Sequence, residues 1–434
     1  MNVSLRYGRD EVSVDVPKSA EVTLIRKLKM PIIDNKSLAI DKMLSDPVGA
    51  GVLRKLANGA KTACILICDI TRPVPNNLIL RPLIKKLVNL GIALDNITIL
   101  IATGLHRPNE GKELEDLIGD PWVLKTVKVQ NHFARDDGAH VEVGITKKGN
   151  RVLLDRRFVS ADLKIVTGLV EPHFMAGYSG GRKVIAPGIA HAETITTFHS
   201  SRYMEDPLSA NCNLLGNPLH EDQLEIVEMV GGALAINVVI DEYRNLSFIN
   251  LGEIVSSHLE AVDFIRQYAE VTVPQRFKTI LTSCAGYPLD LTYYQTIKGM
   301  VGPVDILEQG GDLIIVSNCK EGMGSEEFIS AQQRLVKLGP TGFLKSILNK
   351  KYADIDEWQT EMQLKPMRIG SIYLYSEGLS DKDWAYTGVN RVTDLEACIK
   401  ESLIRHDDNK IAIIPEGPYV CLLYTSPSPR DSDS

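Results

Sequence analysis

The sequence has no run approaching the roughly 18 consecutive apolar residues that a membrane-spanning helix needs. Its first residues, MNVSLRYGRDEVSVDVP, show no charged segment followed by an apolar one, so no secretory signal is expected. Cysteine is sparse, 7 in 434 residues, and its spacing forms no disulfide framework. A reduced, cytoplasmic protein is the expectation. Positive charge is not in excess: 48 Lys plus Arg against 55 Asp plus Glu leaves a net charge of −7. That balance argues against nucleic acid, because neutralising phosphates takes a basic patch. Two familiar catalytic signatures are also missing. There is no G-x-x-x-x-G-K-[ST] phosphate loop and no H-E-x-x-H zinc motif.

What is present is an ordinary globular composition, 44% apolar and 24% charged. The length predicts two or three domains. Strand-like and helix-like patterns alternate. Apolar runs at 62–68, 97–102, 162–167 and 234–240 read as strands, and helical spacing is seen at 77–90 and 110–117. Pro82 is awkward inside the first of these helices, which places the helix start closer to it. Further strands are expected at 273–283, 312–317, 372–375 and 410–414, with a helix at 291–300. This alternation predicts an α/β fold with two domains, each a mixed or mostly parallel sheet flanked by helices. The expected division is 1–272 and 273–420. The last fourteen residues, CLLYTSPSPRDSDS, resemble the translation of a sequencing adapter and are expected to lie outside the fold as a non-native tail, 421–434.

Three apolar strands each end in a polar cluster: Asp69-Ile-Thr-Arg-Pro73, Thr103-Gly-Leu-His-Arg-Pro108, and Gly168-Leu-Val-Glu-Pro-His173. In open α/β sheets, ligands bind outside the carboxyl ends of the strands, so the three clusters can converge on one crevice. Arg72 offers a planar fork for a carboxylate, or a helix-start salt bridge to Asp69. His106 and His173 can serve as a paired acid and base, or be satisfied loop histidines. The stretch Gly177-Tyr-Ser-Gly-Gly-Arg-Lys183 has three readings: backbone N–H groups for a phosphate with Arg182 and Lys183 adding charge, a structural turn, or a G-x-S-x-G elbow with Ser179 as a hydrolase nucleophile. His199 is a core or surface residue, or a metal ligand with a soft partner. Tyr294 and Lys298 share one helical face with Gln295 beside them, which spacing alone reads as solvated. Trp358 by itself reads as packing. Cys64 and Cys68 share a strand face, as two buried thiols or as a metal pair.

Taken together, Asp69-x-Thr-Arg-Pro, Gly104-Leu-His-Arg-Pro, Glu171-Pro-His, Ser179-Gly-Gly-Arg-Lys, Tyr294-Gln-x-x-Lys298 and the Trp358-Gln pair resemble the nickel-pincer-dependent lactate racemase family. The resemblance runs from the first strand to about Val420. It implies two α/β domains with the active site in the cleft between them. It also implies a nickel pyridinium-3,5-bisthiocarboxylic acid mononucleotide joined covalently to Lys183, with His199 as the protein ligand to nickel. Asp69, Thr71, Gly180 and Gly181 would hold the mononucleotide. His106 and His173 would be the catalytic acid and base, Arg72 and Lys298 would orient the substrate, and Tyr294, Gln295 and Trp358 would shape its pocket. A racemase of lactate or another 2-hydroxy acid follows, with cofactor-assembly enzymes as partners and neither nucleic acid nor membrane.

Overall fold

The computed structural model describes residues 1–49 and 52–424. The chain forms two compact units. The first comprises Lys29–Phe198 and Leu208–Gln267; the second comprises Met1–Leu28, His199–Pro207 and, among the described residues, 268–424. Among the described residues, no helix is long and apolar enough to cross a membrane.

The first unit is built on a six-stranded sheet. Across the sheet the strands run Leu246–Glu253, Leu234–Ile240, Leu163–Leu169, Ala63–Cys68, Ile97–Ala102 and Lys128–Asn131. All neighbours are parallel except the antiparallel edge strand Leu246–Glu253. The central strands are apolar on both faces because both faces are covered; Ile65, Leu66 and Ile67 are fully buried. The chain moves outward from Ala63–Cys68 through Ile97–Ala102 to Lys128–Asn131. It then returns to the opposite side of Ala63–Cys68 to form Leu163–Leu169. The order therefore reverses between Ala63–Cys68 and Leu163–Leu169, and a switch of this kind opens a crevice at the carboxyl ends of the two strands.

One sequence expectation is corrected here. The helix does not begin near Pro82 but spans Asn76–Asn89 with Pro82 inside it. A proline within a helix costs about 3 kcal/mol. Burying Ile79, Leu80, Leu83, Ile84 and Leu87, all at 0% exposure, contributes roughly 1.5–3 kcal/mol for each side chain, so the apolar face prevails.

The second unit has its own six-stranded sheet, wholly parallel, in the order Asn390–Val392, Ser371–Tyr375, Leu307–Val316, Phe277–Ser283, Lys410–Ile414 and Glu21–Leu24. The edge strand Glu21–Leu24 comes from the start of the chain. Beside it in sequence, the hairpin Asn2–Tyr7 with Asp10–Asp15 turns Val3, Leu5 and Tyr7 into the same core as Leu281, Ile314 and Ile413. These pairings group residues 1–28 with the second unit, whereas the expected division had placed them with 29–272. The tail is corrected too. Cys421–Tyr424 is a strand parallel to Glu270–Val273, with Cys421 and Leu422 buried; residues 425–434 lie outside the described residues.

Candidate active site

In the first unit, the three polar clusters emerge from three adjacent parallel strands and so lie at one edge of the sheet. Asp69 follows Cys68 and is buried. Its Oδ1 accepts from the Thr71 hydroxyl at 2.6 Å, and its Oδ2 lies 2.6 Å from His106 Nδ1. Burial opposes charge on this carboxyl, but the hydrogen bonds from His106 and Thr71, with Arg72 nearby, hold it below the usual carboxylate range. Asp69 is therefore an acceptor on both oxygens. The His106 side chain is 63% exposed, fixed at one nitrogen and open over the rest of its ring. Gly104, at φ +56°, makes the turn that carries it.

Arg72 pairs with Glu171, from the neighbouring cluster, through a short Nη1–Oε1 contact across the point where the strand order reverses; its charge also acts on Asp69. His173 closes the third cluster. It is 9% exposed, and its Nδ1 accepts the backbone N–H groups of Met175 at 3.2 Å and Ala176 at 3.1 Å. Its ring stacks on Phe174 with centroids 4.7 Å apart.

The glycine-rich stretch packs tightly under these groups. A Cβ on Gly180, at φ +79°, would come within 2.7 Å of Val170 Cγ2, and one on Gly181 within 2.9 Å of the His258 ring. Among the described residues, the backbone N–H groups of Gly180, Gly181 and Arg182 enter no backbone hydrogen bond outside helices and strands, while Lys183 N–H closes the turn to the Gly180 carbonyl at 3.0 Å. Arg182 departs from expectation. Rather than adding charge beside a phosphate, its guanidinium turns inward and donates to the carbonyls of Tyr178 and Ala176 and to His220 Nδ1. Burial pushes it down to about 9. Lys183 is half-buried.

The hydrolase reading fails at Ser179. That hydroxyl is buried, donates to the Leu169 carbonyl at 2.7 Å and accepts the Glu171 N–H at 3.1 Å. It fastens the loop to the end of a strand. Burial pushes the Cys64 and Cys68 thiols up to about 12 and about 11, and among the described residues they belong to no group of three or more His, Cys, Asp or Glu side chains that could hold a metal ion.

In the second unit, helix Tyr293–Val301 carries Tyr294, Gln295 and Lys298. The solvated-face reading does not hold. Trp358 Nε1 donates to the Tyr294 hydroxyl at 3.2 Å, and Gln359 donates to the Tyr294 carbonyl at 2.8 Å. Trp358 and Gln359 stand in the first turn of helix Glu357–Ile369. The residue before that helix, Asp356, sits at φ +60°, a costly conformation for a non-glycine residue; the Ser325 hydroxyl holds its carboxylate at 2.6 Å. The His199 ring packs on Trp358 with centroids 4.5 Å apart. Trp358 is thus a contact point for Tyr294 and His199, two residues far apart in sequence. Among the described residues, no group of three or more His, Cys, Asp or Glu side chains could hold a metal ion, so a metal at His199 needs donors from a bound group.

Sequence reasoning missed two parts of this arrangement. Asp69, expected to hold the mononucleotide, also engages His106. Asp356 carried no signal, because only its backbone angle marks it.

Residues 7–211 match the lactate racemase N-terminal domain, and residues 274–422 match the lactate racemase C-terminal domain. The chain is 29% identical over 425 residues to a lactate racemase of Thermoanaerobacterium thermosaccharolyticum, covering 96% of this chain and 98% of that protein. It is 34% identical over 290 residues to a lactate racemase of Lactiplantibacillus plantarum, covering 67% and 68%. Among solved structures, the lactate racemase apoprotein of T. thermosaccharolyticum superposes with a TM-score of 0.88 at 27% identity, over 98% of this chain and 100% of that one. A Thermotoga maritima protein shares the fold at a TM-score of 0.63 and 16% identity, over 88% and 99%.

Proposed function

The chain belongs to the lactate racemase family and is an isomerase; from that premise we propose that it interconverts D- and L-lactate or a closely related 2-hydroxy acid. The observation that carries the reading is the correspondence of 98% of this chain with the lactate racemase apoprotein.

The cofactor, a nickel pyridinium-3,5-bisthiocarboxylic acid mononucleotide, belongs to the proposal. The residues present suit it. Among the described residues, the Gly180, Gly181 and Arg182 amides donate to no backbone acceptor outside helices and strands, which suits an anionic phosphate. Lys183 is a half-buried amine next to that turn, the covalent attachment point. His199 is a single imidazole, sufficient for nickel when sulfur donors come with the bound group. Asp69 and Thr71 bear on the same edge of the sheet. When bound, the cofactor would supply hydride-transfer chemistry at the substrate carbon.

The chain's own residues handle protons and orientation. His106 and His173 move the hydroxyl proton, one for each face of the substrate. Arg72 has five N–H donors and can keep Glu171 while binding a substrate carboxylate. Lys298 adds positive charge at the substrate, and Tyr294, Gln295 and Trp358 form the wall. A reducing, cytoplasmic setting belongs to the same proposal, supported by seven free cysteines.

The test is to coexpress the protein with cofactor-assembly enzymes and to measure nickel content, intact mass, and turnover of lactate, malate, longer 2-hydroxy acids and sugar acids. Expected are an adduct lost in Lys183→Ala, and racemisation abolished in His106→Ala and His173→Ala with the adduct retained. No adduct and no turnover of any 2-hydroxy acid refutes the proposal.

A further inference from the structure

We infer that the two catalytic histidines are not equivalent in the resting protein: His106 presents a bare Nε2 and is the proton acceptor, whereas His173 presents an Nε2–H and is a hydrogen-bond donor. This deepens the racemase reading and rests on it for the catalytic roles. The tautomers themselves follow from contacts alone.

An ionised carboxylate only accepts hydrogen bonds. Asp69 Oδ2 lies 2.6 Å from His106 Nδ1, so Nδ1 carries the proton and the lone pair of the neutral ring falls on Nε2. His173 is held the other way round. Two backbone N–H groups, of Met175 and Ala176, point at its Nδ1 from 3.2 and 3.1 Å. Backbone amides only donate, so Nδ1 carries the lone pair and the proton falls on Nε2. Stacking on Phe174 holds the ring in this orientation.

The consequence is directional. When the substrate hydroxyl meets His106, its O–H bond breaks and an Nε2–H bond forms. The resulting imidazolium lies against the Asp69 carboxylate. When the hydroxyl meets His173, the ring must first lose its Nε2 proton and take one at Nδ1, breaking both amide contacts. The resting enzyme is therefore set for one enantiomer.

The test is two-bond ¹H–¹⁵N correlation spectroscopy on the apoprotein with ¹⁵N-labelled histidine at pH 8. The two spin systems are assigned by their loss in His106→Gln and His173→Gln. Expected are a protonated Nδ1 and bare Nε2 for His106, and the reverse for His173. Asp69→Asn should shift the His106 pattern toward a tautomer mixture and leave that of His173 unmoved. A proton on Nδ1 of His173, a mixture there, or a bare Nδ1 on His106 overturns the inference. Expected tautomers in a cofactor-loaded protein that racemises nothing would refute the proposed function and leave the tautomer assignment standing.

Discussion

Glu361→Gln should make the second unit more stable at high pH, by an amount that grows with pH. Glu361 lies in helix Glu357–Ile369 and is 1% exposed, with an Oε1 that has no hydrogen-bond partner. Burial pushes its carboxyl up to about 8. The charges of Glu205 and Glu357 add to this, against the opposing pull of the Ser201 hydrogen bond and the Lys365 charge. The folded protein thus keeps a proton that the unfolded chain releases above its ordinary value of 4.5. Stability from this group is fully present below that value and falls by about 1.4 kcal/mol per pH unit as pH rises toward 8. The span sets a ceiling of about 5 kcal/mol. Glutamine keeps the shape and cannot ionise. Any fixed packing cost of the substitution appears equally at pH 4.5, so the difference between pH 9 and pH 4.5 isolates ionisation. For a unit of this size, it corresponds to a relative rise in Tm of roughly 10 °C. Calorimetry across this pH range measures the shift, and hydrogen exchange in peptides from Glu357–Ile369 localises it. A difference between variant and parent that does not change with pH would refute the argument.

Three other outcomes are expected. Pro82→Ala should raise stability in urea unfolding by about 2 kcal/mol, the helix-interior penalty less the lost rigidity of the unfolded chain; a loss of stability would show that the helix depends on the proline ring. Trp358→Phe keeps a ring against His199 but removes the hydrogen bond to Tyr294, so kcat/KM of the loaded enzyme should fall about 2- to 12-fold. A hundredfold fall would mean that Trp358 does more than hold Tyr294. The parent protein should not react with a fluorophosphonate, and Ser179→Ala should lower stability by about 1–3 kcal/mol by stripping partners from the Leu169 carbonyl and Glu171 amide; labelling at Ser179 would contradict this.

The sequence by itself determined the fold class. Apolar runs such as 63–68 and 97–102 are legible as buried strands because a parallel sheet covered on both faces tolerates little else. It also determined the candidate residues, since Asp69, His106 and Glu171 stand in the loops that follow strands and the carboxyl ends of such strands are where ligands bind. Local pattern could not determine what depends on partners far away in the chain. The return of Leu163–Leu169 beside Ala63–Cys68 joins Arg72 to Glu171. The pairing of Glu21–Leu24 with Lys410–Ile414 moves the first 28 residues into the second unit. Helix burial overrides Pro82. The hydroxyl of Ser179 and the guanidinium of Arg182 read as reactive or charged loop groups until their buried acceptors are known. The two histidines read alike in sequence as polar residues after a strand. Only the tertiary structure sets a carboxylate against one ring nitrogen and two amides against the other, because hydrogen-bond direction depends on which group stands opposite.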